Sequence, residues 1–315
     1  MTEGSRRAIV AAFLANLGIA IAKLVAFSFT GAASMLAESV HSLADTGNQA
    51  LLLLGSARAR RAPTAEHPFG FGRERYFWAF VVALVLFSLG ALFAIVEGIE
   101  KLLHPHELSS PEWALAVLAI AIVLEAFSLR TAIHEARALR GRRGWWSFIR
   151  RTKLPELPVV LLEDVGALLG LLFAAAGVGI ALATGDPRWD ALGSVAIGVL
   201  LGGIAAVLAI EMKSLIIGEA ADPDTVEAIR GILAAGDGVT HVVHLRTLHI
   251  GPDDLLVAAK LAFTPELPLR AVADVVNVVE AAVRARVPVA RLVFIEPDVW
   301  RSERAAQSTA APRPR

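Results

Sequence analysis

The sequence predicts a mainly α membrane protein, with six transmembrane helices followed by a small cytoplasmic α/β domain of ferredoxin-like α-β-β-α-β order. Three observations carry that reading. The 315 residues are 56% hydrophobic and 19% charged, with mean hydropathy +0.60, whereas soluble domains are about a quarter charged. Six apolar runs are each long enough to cross a bilayer, which takes about 20 residues. Beyond residue 218 such runs stop, and the helix and strand periodicities of a soluble domain replace them. The expected domains are therefore 1–217 in the membrane and 218–300 in the cytoplasm, with a disordered tail at 301–315.

The spans are expected near 8–29, 33–54, 77–99, 113–133, 157–183 and 190–215. The first follows Arg6 and Arg7 but is read as a span and not as a signal peptide. It is too long, carries Asn16 and Lys23, and lacks a small-residue cleavage site. Basic residues set the orientation. The loop after span two holds Arg58, Arg60, Arg61, Arg73 and Arg75, and the loop after span four holds Arg137, Arg140, Arg142, Arg143, Arg150, Arg151 and Lys153. On the other side the connections near 30–32, 100–112 and 184–189 contain only Lys101 and Arg188. The positive-inside rule then places both termini in the cytoplasm of a multi-pass protein of the cell membrane.

In the soluble part, 223–235 has helical apolar spacing, with Asp222 at the N-cap and Pro223 in the first turn. Strands are expected at 239–250 and 254–263, a second helix at 267–286 and a last strand at 291–296. In strand geometry His241 and His249 share one face and His244 points the other way.

The second apolar run contains AESVHSLADTGNQ, in which Glu38, His41, Asp45 and Asn48 fall along one helical stripe. The fifth contains Glu163 and Asp164. Left uncompensated, these four carboxylates would cost on the order of 10 kcal/mol in a bilayer, and Lys23 can answer only one of them. A divalent cation facing a water-filled path answers all of them. The chain has no cysteine, so thiolate sites and disulfides are excluded and any metal must use oxygen and imidazole nitrogen. His41 and Asp45, at i and i+4, share a face, and imidazole with carboxylates suits zinc and its first-row neighbours.

These residues carry a resemblance. SMLAESVHSLADTGNQALLLLG is similar to the second span of the cation diffusion facilitator family, HPFGFGRERYFWAF at 67–80 to its third-span start, and VVLLEDVGALLG at 159–170 to its fifth span. The ending VFIEPDVW also resembles the family, and E-xx-H-xxx-D-xx-NQ with LLED is closest to its zinc-transporter-like branch. The resemblance implies a homodimer that exports a divalent metal from the cytoplasm in exchange for protons, with zinc expected first and manganese, iron(II) or cobalt also accepted. The metal is cargo, and no cofactor is expected.

In the family, a His/Asp-xxx-Asp pair on span two meets a similar pair on span five. His41 and Asp45 match the first pair and Asp164 matches the last residue of the second. Its remaining position falls on Val160, which cannot bind metal. Glu38, Glu163 or water is left to supply the missing ligand, with Glu38 preferred; Asn48 is either an outer ligand or an interhelical hydrogen-bonding residue. A loop site that some members build from two histidines keeps His67, but Phe71 stands at the partner position. Among the expected cytoplasmic metal positions, Val243, Ala259 and Phe294 replace ligands and Glu296 remains, so dimerisation without a metal centre is expected there.

Other functions fit less well. HEARA at 134–138 begins like a zinc-protease motif, but Ala138 stands where the second histidine belongs, and no other enzyme motif is present. A metal sensor without transport is the alternative reading, while a passive channel sits poorly with a tight ligand cluster. The mixture of arginines with Trp145, Trp146 and Phe148 at 141–153 is read as an anchor in the lipid headgroup layer and not as a nucleic-acid surface.

Overall fold

The computed structural model describes residues 33–105 and 111–300, with isolated positions at 17, 18, 21 and 25. Side chains within 33–45 lie outside the described residues, as does nearly all of the expected first span. The chain divides into two compact units, Met1–Ile216 and Ile217–Arg315.

In the first unit, α1 (Ala33–Arg58), α2 (Glu74–Leu103), α3 (Pro111–Arg140), α5 (Glu156–Thr184) and α6 (Arg188–Ile217) cover the second to sixth apolar runs. Each helix extends beyond its apolar run at one end or both, because Lys, Arg and Glu are good helix formers that reach out of an apolar layer on long stems. Among the described residues, α2, α5 and α6 are long and apolar enough to cross a membrane. A short α4 (Trp145–Arg151) stands in what the sequence marks as a basic loop, and it buries Phe148 and Ile149. Within α2, Val82–Phe87 is π-helical.

The helices bury one side and leave the other greasy. Leu52 of α1, Tyr76, Ala79 and Val82 of α2, Val159 of α5, and Leu208 and Met212 of α6 make one packed cluster. On the outer surfaces Phe93, Leu103, Val123 and Phe127 are each at least two-thirds exposed. Water would penalise such surfaces heavily, whereas lipid tails solvate them. Burial therefore gains little from water exclusion here, and close backbone approach matters more. At Gly198 on α6 an added Cβ would lie 2.8 Å from the carbonyl oxygen of Ala91 on α2 and would collide with Ile95. Only glycine allows that spacing.

Polar clamps join the helix ends. Arg75 is buried and donates twice to Glu156, Nε to Oε1 at 2.6 Å and Nη2 to Oε2 at 2.9 Å, tying α2 to α5. Arg150 of α4 meets Glu211 of α6 at 2.9 Å, and Lys101 of α2 reaches Asp190 of α6 at 3.3 Å. Arg75 was expected among solvated loop charges. The structure instead puts it in a helix, because Glu156 offers a matched two-oxygen partner for its planar fork.

The second unit holds α7 (Pro223–Ala234), β1 (Val239–Gly251), β2 (Asp254–Phe263), α8 (Leu269–Arg286) and β3 (Leu292–Val299). This is the expected order, with β3 running three residues further than expected. Asp222 takes the N-cap position of α7 without a side-chain capping bond. The sheet order is β1-β2-β3, antiparallel between the first two and parallel between the last two. Alternation along β2 sends Leu255, Val257, Ala259 and Leu261 into a core with Ile229 and Leu233 of α7 and Val279 and Val283 of α8. Each fully buried Leu or Val contributes about 1.5–3 kcal/mol in this water-exposed unit. Gly218, at φ +113, occupies a backbone region that favours glycine next to the division between the units.

The histidine parity expected for β1 is corrected. A register shift between Val242 and His244 adds a residue to the strand, and a bulge reverses the alternation beyond it. His241 and His244 are accordingly both exposed, His241 stacking on Trp300 at 3.9 Å, while His249 is buried with Nδ1 3.4 Å from the Gly251 carbonyl oxygen.

Candidate metal centre

The polar residues of the second and fifth runs lie on α1 and α5, and one contact joins them. Asn48 is buried on α1, and its Nδ2 donates to Glu163 Oε1 on α5 at 2.9 Å. Among the described residues the side-chain oxygen of Asn48 is buried without a hydrogen-bond partner, as is that of the neighbouring Gln49. A buried amide oxygen left unpaired is costly, and together with carboxylate oxygen it forms a hard donor set of the kind that accepts a divalent cation.

Asp164, the next residue of α5, has a partner on α3. Its Oδ2 accepts a 3.4 Å hydrogen bond from Ser128 Oγ on α3. One residue is about 100° of helix, so Glu163 and Asp164 reach different neighbours, Asn48 of α1 and Ser128 of α3. Both acidic residues are half-buried. Glu38, His41 and Asp45 belong to α1, but their side chains lie outside the described residues. Val160, at the position where the family pattern has a ligand, is a third exposed. Among the described residues no three His, Asp or Glu side chains converge on one point.

The secondary sites look structural. His67 is exposed and packs edge-on against Phe71 with ring centroids 4.7 Å apart. Glu296 on β3 sits opposite Lys260 on β2, whose Nζ lies 2.6 Å from it and 3.4 Å from Asp298. The Glu296 carboxylate, with Asp298 beside it, holds the Lys260 ammonium above its ordinary pKa of 10.5. Sequence reasoning missed Ser128 and Gln49 as members of the polar neighbourhood. Ser128 carries no distinguishing signal in its run, whereas Gln49 had one, as a second amide next to Asn48 in an apolar segment.

This architecture is that of a helical membrane domain followed by a soluble α/β domain, and comparison with known proteins gives both halves a family. The family model for the cation efflux transmembrane domain matches residues 9–217, and that for the cation efflux protein cytoplasmic domain matches 221–298. The chain belongs to the cation diffusion facilitator family of cation efflux transporters. It is 36% identical over 243 residues to a mitochondrial proton-coupled zinc antiporter of Xenopus laevis, covering 76% of this chain and 44% of that protein. Metal tolerance protein C4 of Arabidopsis thaliana is 31% identical over 267 residues, 84% of this chain and 58% of that protein. The cation-efflux pump FieF of Cronobacter sakazakii is 29% identical over 285 residues, 90% of this chain and 89% of that protein. The chain thus spans less than half of the zinc antiporter it matches.

Proposed function

We propose that this protein moves a divalent metal cation, zinc first among the candidates, out of the cytoplasm in exchange for protons. The observation that carries the reading is the Asn48–Glu163 hydrogen bond, which brings the polar stretches of α1 and α5 to the same level. Position 41 lies about 20° round α1 from position 48, and position 45 about 60°, so these three backbone positions fall on one side of the helix. His41 and Asp45 with Asp164 form the expected binding set, and Glu38, Glu163 or Asn48 completes it. The family and the names of the relatives support the same reading.

Exchange follows from the chemistry of such ligands. Metal binding needs neutral imidazole and ionised carboxylates, so protons and metal compete for the same atoms. A site shared by two helices can release metal and load protons when it faces the more acidic side. In this reading the protein lies in the cell membrane with both termini cytoplasmic and works as a homodimer paired through its soluble unit.

The test is zinc uptake into inverted vesicles. Asp45→Ala and Asp164→Ala are each expected to abolish uptake while membrane insertion and dimerisation persist. Normal flux in either variant would move the transport site away from α1 and α5.

A further inference from the structure

The C-terminal half of α3 borders an open cavity of about 680 Å³ whose lining includes none of the expected metal ligands: Phe127, Arg130, Thr131, Ile133, His134 and Arg137. Arg130, His134 and Arg137 recur at i, i+4 and i+7 and fall within about 60° of one another round the helix. The side chains of all three are exposed, and among the described residues none makes a hydrogen bond or an ion pair. Thr131 is committed elsewhere, its Oγ1 donating to the Phe127 carbonyl oxygen at 3.0 Å. The nearest carboxylate along the helix, Glu135, is about 100° round from His134 and off this face.

We propose that this pocket seats the headgroup of an anionic phospholipid. Two guanidinium groups and an imidazole face this cavity with no ion-pair partner among the described residues, and the arginines leave net positive charge that an anion would neutralise. A phosphate diester offers oxygens that match a guanidinium fork.

The same stripe of α3 decides between a lipid and a free anion. Towards the N-terminus it continues as Phe127, Val123 and Ile120, which are 71%, 68% and 63% exposed. Cationic for about 10 Å and apolar for about another 10 Å, this face has the polarity profile of an amphiphile with an anionic head and acyl tails. A soluble phosphate would use only its upper half. At the end of α3 the Arg140 guanidinium lies 4.4 Å from the Trp145 ring centroid, and Trp146 is exposed. Arginine and tryptophan together mark the headgroup level of a bilayer, so the cationic triad begins there and reaches inward. Basic pockets beside membrane helices bind anionic headgroups by this chemistry.

The experiment uses the full-length protein in phosphatidylcholine nanodiscs with and without phosphatidylglycerol, reading retained lipid by native mass spectrometry. Wild type is expected to retain phosphatidylglycerol in preference to phosphatidylcholine. The double variant Arg130→Gln/Arg137→Gln should lose that preference by on the order of thirtyfold. Arg142→Gln, an exposed arginine of the following loop, should behave as wild type. Equal retention by the double variant and wild type overturns the proposal. So does displacement of the lipid by millimolar inorganic phosphate, which would mark a site for a free anion. Should the double variant fail to fold, a photoreactive phosphatidylglycerol on wild type still decides the matter. Cross-links within 120–137 support the pocket, and cross-links only elsewhere overturn it.

Discussion

Asn48 shows what one side chain can do between two helices. Its amide spends a donor on Glu163 and keeps an oxygen buried that has no partner among the described residues, so it is at once a strut and a polar group held in reserve. Asn48→Ala should weaken the membrane unit by about 0.6–1.7 kcal/mol, the range of interhelical hydrogen bonds in lipid, read as a lower unfolding midpoint in mixed micelles. An unchanged midpoint would mean that the bond contributes nothing to helix association. Lys260 plays a different part in the soluble unit, locked across the strand pair to Glu296 and Asp298 with a raised pKa. A group whose folded pKa exceeds its unfolded value stabilises fully below the unfolded pKa and loses that contribution as pH rises through the folded one. The difference in melting temperature between wild type and Lys260→Met should therefore be steady below pH about 10 and shrink above it. A difference that persists at higher pH would assign the effect to packing of the lysine stem.

Among the elements, α6 depends most on what it lacks. At Gly198 its backbone comes close enough to α2 that a Cβ would press on Ala91 and Ile95. Gly198→Val should force the two helices apart and sharply lower the folded yield and thermal stability in detergent. Gly179 of α5 has nothing within 4 Å of its missing Cβ, so Gly179→Ala should be neutral or stabilise by about 0.5–1 kcal/mol through the helix preference of alanine. Equal effects at the two positions would show that glycine acts in these helices through flexibility and not through packing. The buried clamp Arg75–Glu156 adds direction to this packing, because a charge pair in low dielectric penalises misplaced partners.

For the whole molecule the question is which unit pairs two protomers. The soluble unit begins at Ile217, directly at the end of α6, so little linker separates it from the membrane. Deleting residues 219–315 should weaken dimerisation, measured by cross-linking or light scattering in detergent, more than it impairs metal binding by the membrane unit. A dimer unchanged by the deletion would assign pairing to the spans.

Composition and periodicity alone determined the long apolar helices and the soluble α-β-β-α-β order, while the expected ligands His41, Asp45 and Asp164 came from a polar stripe in an apolar run and from the motifs that resemble a family. Each of these depends on a local pattern, such as an apolar run, an alternation or a motif within one turn, and a local pattern survives in the linear chain. Tertiary structure alone decided that Glu163 meets Asn48 while Ser128 meets Asp164, and that Arg75 is buried against Glu156. It also decided the face of each histidine on β1, because one inserted residue reverses the parity of the strand. These are contacts between residues up to 115 positions apart, or consequences of a bulge set by the neighbouring strand. No window of sequence contains them, because they arise only when helices pack at a particular rotation and strands pair in a particular register.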